Sequence, residues 1–328
     1  MQPSIERLRR IGGHPRVRLI LKLGLSAALL YWLAGKVDGT ALRAHAEHID
    51  WRLVACALLI HATLPILVAV RWRLLCRRLN IPLTRGQALQ NVYVGQFFNQ
   101  LLPSALGGDA MRVVQLSRWH MPLAVAMGSI VLDRLAALSA VPFMLLPGLA
   151  VFGDAVPTAT LGVAIAVSFV GVAAFWTVVV SLGRLVPAAL IERWAILRKL
   201  TAVAEPARRV LSSPGTVIAA LGLSFATHGL SGVSMWLLAQ ALGADVAVAP
   251  FVVLTPLVIL VTAVPVSVGG WGVREGAVVA ALSAIQVPRD VALLVSILYG
   301  FVMIVASVVG GTIWLFGGRG AKPDRSSP

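Results

Sequence analysis

The chain has 328 residues, 58% of them hydrophobic and 12% charged, and a mean hydropathy of +0.88. Soluble domains carry about 45–50% apolar and about 25% charged residues, so a water-soluble core, a disulfide scaffold and a disordered chain are all excluded. The formal net charge of +15 comes from 28 Lys and Arg against 13 Asp and Glu. No continuous basic soluble segment or aromatic RNA-binding motif carries it, so it reads as membrane topology and no nucleic-acid partner is expected.

Several apolar stretches approach the ~20 residues that cross ~30 Å of hydrocarbon. The fold class is therefore all-α and polytopic. Residues 1–22 carry Arg7, Arg9, Arg10, Arg16, Arg18 and Lys22 against Glu6, which orients the N-terminus toward the cytoplasm. An apolar run over 17–33 follows. It lacks a small-x-small cleavage site before Lys36 and more spans lie beyond, so it reads as an uncleaved first span and not a signal peptide. A charge-balanced loop leads to span two over 53–70, where Cys56 falls; with Cys76 it makes up the two cysteines, too few for a metal site, and both read as small apolar side chains. Arg71, Arg73, Arg77, Arg78 and Arg85 follow without an acid among them, the strongest cytoplasmic signal in the chain.

Later spans fall at 123–151, 158–182, 216–242 and 291–316, separated by a basic segment at 183–214 with six bases and two acids. The tail, 318–328, carries Arg319, Lys322 and Arg325 and is also placed in the cytoplasm. Six spans satisfy every basic cluster. The segments 86–122 and 249–288 each split into two short apolar stretches around Pro and paired Gly, and they read as re-entrant hairpins. Irregular backbone at membrane depth is tolerated only where protein or water lines it, so the hairpins are expected to line a cavity.

The hairpin tips read Pro103-Ser-Ala-Leu-Gly107-Gly108-Asp-Ala-Met-Arg112 and Pro265-Val-Ser-Val-Gly269-Gly270-Trp-Gly-Val-Arg274. Both are P-x-x-x-G-G-x-x-x-R, and Arg112 and Arg274 lie 162 positions apart (274 − 112). The whole chain is thus expected to be one membrane domain of two half-repeats, about 17–152 and 158–317, of inverted topology. Such repeats hold substrate near the midplane, with broken-helix N-termini offering backbone N–H groups to an anion. Here Gly permits close backbone approach, Pro stops the preceding helix, and each Arg lies one turn into the next. The alternative is a pair of tight helix breaks whose arginines only cap or pair locally.

The motif set Asn99-Gln-Leu-Leu-Pro103 with Gly108, Asp109 and Arg112, then Leu132-Asp133-Arg134-Leu135, then Pro265, Gly269, Gly272, Val273, Arg274 and Glu275 resembles the lysylphosphatidylglycerol synthase transmembrane family, the flippase-like membrane proteins. The resemblance covers nearly the whole chain. It implies a membrane module that moves a lipid with a polar headgroup between leaflets, without the soluble aminoacyltransferase domain of the synthases. It leaves the cargo open among aminoacylated phospholipids, polyprenyl-phosphate sugars and other envelope lipids.

A charge at a helix centre in the bilayer costs at least about 2.5–3.5 kcal/mol on insertion scales and tends to pair or mark a pathway. Six such residues stand out: Asp109, Arg112, Asp133, Arg134, Arg274 and Glu275. Their charges cancel, as a mutually paired cluster requires. Asp133 and Arg134 diverge on a helix, so each is expected to pair with a hairpin: Glu275 is the candidate for Arg134, and a hairpin arginine for Asp133. Arg112 and Arg274 are expected to bind a lipid phosphate, while the three acids hold the arginines or take a coupling proton; a static ion-pair network is the alternative. Ser224, Thr227, His228 and Ser231 share one helical face that should look inward, with His228 a candidate proton relay or a packing residue. Asn99, Gln96 and Gln100 bind a headgroup or satisfy broken-helix carbonyls. Trp51, Trp72, Trp119 and Trp314 fall near span ends, as interfacial anchors do.

The expected substrate-binding set is Asn99, Gly107, Gly108, Asp109, Arg112, Asp133, Arg134, Gly269, Gly270, Arg274, Glu275 and His228. H-E-x-x-H, G-x-S-x-G, P-loop and C-x-x-C signatures are missing from the sequence, so no catalytic residue, metal or cofactor is expected. The expected function is flippase-like transport of an anionic phospholipid or polyprenyl-phosphate-linked lipid in a bacterial inner membrane. The alternatives are an integral-membrane enzyme acting on a lipid phosphate, and a noncatalytic partner of a separately encoded envelope-lipid synthase.

Overall fold

The computed structural model describes Tyr31 and residues 47–102, 107–152, 157–185, 195–262 and 271–317. The expected first span apart from Tyr31, the N-terminal basic cluster, the tail 318–328, and Pro103, Pro265, Gly269 and Gly270 lie outside the described residues. Among the described residues there are twelve helices and no strand, and five helical stretches are long and apolar enough to cross a membrane. The protein is an all-α polytopic membrane protein.

Helix α1, Trp51–Arg78, starts where the Asp50 carboxylate accepts from the Arg52 N–H, and it ends on Arg77 and Arg78, which complement the negative end of the helix dipole. Pro65 lies inside it, a substitution that membrane helices tolerate where neighbours cover the freed carbonyl. A short turn through Asn80, in the left-handed region at φ 55°, leads to α2, Arg85–Leu101. A capping box opens α2: the Thr84 hydroxyl accepts from Gln87 N–H, and the Gln87 side chain accepts from Thr84 N–H. Then come α3, Gly107–Arg118, and α4, Leu123–Ser139. The span expected at 123–151 is interrupted: Pro142 and Pro147 divide its second part into α5, Val141–Leu145, and α6, Gly148–Val151.

Helix α7, Thr158–Leu185, is followed by α8, Ala195–Leu211, where only a basic segment had been expected. Val203, Ala207 and Val210 of α8 are buried against α4 and α7. That i, i+4, i+7 spacing is one helical stripe. On the other side Arg209 pairs with Glu205.

Helices α9, Pro214–Ala241, α10, Val248–Thr262, α11, Val273–Ser283, and α12, Arg289–Gly317, complete the chain. Their order repeats that of the first part. A 28-residue helix, two short ones of 17 and 12 residues and a 29-residue stretch (Leu123–Val151) are matched by lengths of 28, 15, 11 and 29. At 1.5 Å per residue the shortest helices reach under about 20 Å, less than a bilayer core. The corresponding long helices α1 and α9 pack on each other, and α2 packs on α12. One apolar core gathers α9 to α12 with the start of α1 around Phe251, Leu238 and Val278, and another gathers α1 to α4 around Trp72, Leu116 and Ile130.

Candidate functional site

The richest concentration of polar side chains lines a cavity of about 230 Å³ walled by α1, α2, α3, α4, α9, α10 and α12. Both halves contribute to it. Asp133, on α4 and only 1% exposed, is the hub. Its Oδ1 accepts from Arg71 Nε at 2.8 Å, and its Oδ2 faces Arg112 Nη1 at 3.4 Å. Arg71 Nη1 also donates to the Ser224 hydroxyl on α9 at 3.1 Å. Arg134 points away from its neighbour and embraces Asp109 of α3 through two bonds, Nε to Oδ2 at 2.9 Å and Nη2 to Oδ1 at 3.0 Å, a planar two-point geometry that suits guanidinium and carboxylate. Half of the Arg134 side chain remains accessible, at 51%.

Arg112 is held differently. Its Nε donates to Asn91 Oδ1 at 3.2 Å while the Asn91 amide donates to the Arg112 carbonyl at 3.0 Å, and its guanidinium lies over Trp72 with 4.5 Å to the ring centroid. Gly95 on α2 leaves the space for it, since a Cβ there would stand 2.8 Å from Arg112 Cγ. Yet both of its ion pairs are long, 3.4 Å to Asp133 and 3.5 Å to Asp109. Its Nη2 is buried without a hydrogen-bond partner among the described residues. Buried polar atoms are paired in the great majority of cases, and an orphaned guanidinium N–H is among the costlier exceptions. His61 Nδ1, on the same cavity wall, is the second such atom there.

Three arginines, Arg71, Arg112 and Arg134, thus share two carboxylates, Asp109 and Asp133, leaving one formal positive charge. The neutral six-residue balance expected from sequence omits Arg71, which the sequence places in the basic cluster beyond the span. The expected partner of Arg134 is likewise corrected, because Glu275 is elsewhere: its carboxylate accepts from Arg274 Nη2 at 2.6 Å and Nε at 3.0 Å and from the Gly272 N–H at 2.5 Å. It occupies the third position of α11, where a carboxylate caps the helix start, and the long Arg274 chain folds back onto it. Arg274 also stacks on Trp271 at 4.4 Å and sits against Gly300. Neither residue lines the cavity.

Helix N-termini at the hairpins had been expected to present N–H groups to a ligand. The described ones are engaged internally: Asn99 Oδ1 accepts from Gly108 N–H at 2.8 Å and Glu275 accepts from Gly272. At Gly108 the room a Cβ would need is taken by the Gly95 carbonyl and Asn99, and at Gly107 by Leu102. The glycine pair therefore lets α3 close onto α2 and is not an open cradle. Asn99 satisfies an N–H and not a carbonyl, though it also lines the cavity beside Gln96. Trp72, expected as an interfacial anchor, is fully buried beneath Arg112 and donates to the Ser129 hydroxyl at 3.4 Å.

The polar face of α9 does point inward. Thr227, His228 and Ser231 line the cavity, His228 Nε2 lies 3.2 Å from the Ala137 carbonyl, and Ser231 shares a 2.5 Å hydrogen bond with the Tyr299 hydroxyl. Tyr299, edge-on to His61 at 5.4 Å, Asn91 and Arg71 are the site residues that sequence reasoning missed. A signal for Arg71 was present, since His61, Leu64, Val68, Arg71 and Leu75 recur at spacings of three and four along one face.

Chemically, this is a polar chamber with a surplus cation, inside a bundle whose outer surface is apolar. Among the described residues no group of three His, Cys, Asp or Glu is placed to hold a metal ion.

Residues 19–311 match the family described as lysylphosphatidylglycerol synthase TM region. The chain belongs to that family. The match spans the residues that line the cavity, both pairs of short helices and all the long helices except the last turns of α12. The chain is also similar to the UPF0104 membrane protein PH1989 of Pyrococcus horikoshii, with 29% identity over 102 residues, which are 30% of this chain and 30% of that protein.

Proposed function

We propose that the central cavity receives the phosphate-bearing headgroup of an anionic phospholipid or polyprenyl-phosphate-linked lipid and carries it between leaflets without altering it. The observation that carries this reading is the condition of Arg112: buried, paired only at 3.4 and 3.5 Å, with Nη2 unpartnered among the described residues in a cavity of net positive charge. A phosphate oxygen at Nη2 supplies the missing acceptor and offsets the surplus charge, and charge-assisted bonds of this type are among the stronger ones available. Membership in a family named for the membrane region of a lipid synthase supports a lipid as the source of that phosphate.

Arg71 and Asp133 position Arg112, Asp109 shares its charge with Arg134, and the half-accessible Arg134 stands where a headgroup entering the cavity would meet it. His228, Ser231 and Tyr299 offer hydroxyl and imidazole groups to the polar part of the headgroup. The setting is the inner membrane of a bacterial-type cell with the arginine-rich ends toward the cytoplasm, as the positive-inside rule orients them.

The test is translocation in proteoliposomes holding tail-labelled phosphatidylglycerol, read by the fraction of label that a membrane-impermeant reductant bleaches over time. The wild type is expected to move label to the outer leaflet, and Arg112→Gln to fall to the rate of protein-free vesicles. Equal rates for the two proteins, with both folded, would overturn the reading; a new chemical species among the extracted lipids would replace it with enzymatic turnover.

A further inference from the structure

A second cavity lies outside the central chamber, between α1 and α2 at the arginine-rich end of α1. It measures about 350 Å³ and is lined by Arg73, Arg77 and Arg85 together with apolar residues that include Ile66, Val70 and Leu89. None of the three arginines has an ion pair among the described residues. Arg73 is fixed by its Nε, which donates to the Leu83 carbonyl at 3.0 Å, so the turn between α1 and α2 holds its guanidinium beside the groove. Arg77 and Arg85 are exposed.

The groove is graded along its length. Ile66, Val70, Arg73 and Arg77 follow one another at spacings of four, three and four, which is one stripe of α1. Ile66 and Val70 are exposed apolar residues, and the stripe becomes basic one turn later. From residue 66 to residue 77 is about 16 Å at 1.5 Å per residue, comparable to a phosphate headgroup and the first half of an acyl chain. Like charges held this close repel one another unless an anion lies between them, and basic pockets between helices at the cytoplasmic surface are where anionic headgroups bind.

We infer that this groove holds one anionic phospholipid of the cytoplasmic leaflet, its phosphate among Arg73, Arg77 and Arg85 and one acyl chain along Ile66 and Val70. This lipid is distinct from the transported one: its site shares no lining residue with the central cavity. It braces α1 against α2, the two helices that carry Arg71 and Gly95.

The experiment is native mass spectrometry of the purified protein released from mixed micelles containing phosphatidylglycerol and phosphatidylcholine in equal amounts. Wild type is expected to retain phosphatidylglycerol selectively. Three arginines near a charged surface contribute together on the order of a hundredfold in affinity, so Arg73→Gln/Arg77→Gln/Arg85→Gln should lose one phosphatidylglycerol per chain. An equal removal of charge elsewhere, Arg52→Gln/Arg118→Gln/Arg209→Gln, should keep it. Val70→Trp fills the groove at an exposed position without changing charge, and it should also lose the lipid. Retention by the triple groove variant equal to wild type, or equal loss in the control triple variant, would overturn the inference. Loss in the triple groove variant with full retention in Val70→Trp would overturn it too, because phosphate would then bind to the basic face without the groove.

Discussion

The two hairpin arginines occupy matching places in the repeated motif and have been given similar surroundings and different employment. Arg112 and Arg274 are each 4% exposed, each lies over a tryptophan at 4.5 and 4.4 Å, and each sits on a glycine of a neighbouring helix, Gly95 and Gly300. Arg274 is then closed by a dedicated carboxylate at 2.6 Å. Arg112 shares two carboxylates with two other arginines and keeps one guanidinium nitrogen, Nη2, without a partner among the described residues. The same motif therefore gives a closed ion pair in the second half and, in the first, an arginine that the described residues leave incompletely paired. A repeated sequence signature identifies where two sites lie, while the residues around each decide which of them is satisfied.

The largest effect is expected where the two designs differ most in what holds them. Asp133→Asn leaves Arg71 and Arg112 buried without their shared carboxylate, and breaking a buried pair by removing one partner costs about 3–5 kcal/mol. The thermal transition in detergent should fall further for this variant than for any other named here. Arg274→Gln leaves Glu275, wholly buried, with hydrogen bonds and no counter-ion, at the lower end of the same range. Its transition should fall while lipid binding to the folded fraction persists. A transition within a degree of wild type would show that the ion pair does not hold the second hairpin.

Smaller effects sharpen the comparison. Gly95→Ala pushes a methyl group against Arg112 Cγ and Cδ, an overpacking worth about 1–3 kcal/mol, and should slow translocation by displacing Arg112; translocation at the wild-type rate would show that the seat of Arg112 is not critical. Asn99→Ala removes the acceptor of the Gly108 N–H, about 1 kcal/mol by analogy with helix caps. Hydrogen exchange at the start of α3 should quicken while the rest of the bundle stays protected.

Much of this was legible in the sequence. Long apolar runs, basic clusters and Pro-Gly breaks gave the long spans and the short-helix pairs, because hydrocarbon thickness and backbone hydrogen bonding leave few alternatives. The inward face of α9 and the engagement of Asp133 by a hairpin arginine followed from periodicity and the cost of a buried charge. Arg71 was missed because an arginine at a span end looks like topology, and only its register with His61 and Leu64 distinguishes it from Arg73 and Arg77. Glu275 was given the wrong partner because charge balance says how many pairs form and not which. Its place at the third position of α11 favoured the local cap. Helix α8 was overlooked because its apolar stripe is diluted by the basic residues around it.

The most direct measurement compares the two hairpin arginines for bound lipid. Wild type, Arg112→Gln and Arg274→Gln are each made in the Arg73→Gln/Arg77→Gln/Arg85→Gln background, so that only the central site is counted, and phosphatidylglycerol retained by the folded protein is read by native mass spectrometry. The account predicts that Arg112→Gln loses that lipid with little change in thermal transition, since Asp133 keeps Arg71 and Asp109 keeps Arg134, whereas Arg274→Gln retains it. Retention by Arg112→Gln equal to the parent, or loss confined to folded Arg274→Gln, would contradict the assignment of the first hairpin as the phosphate site.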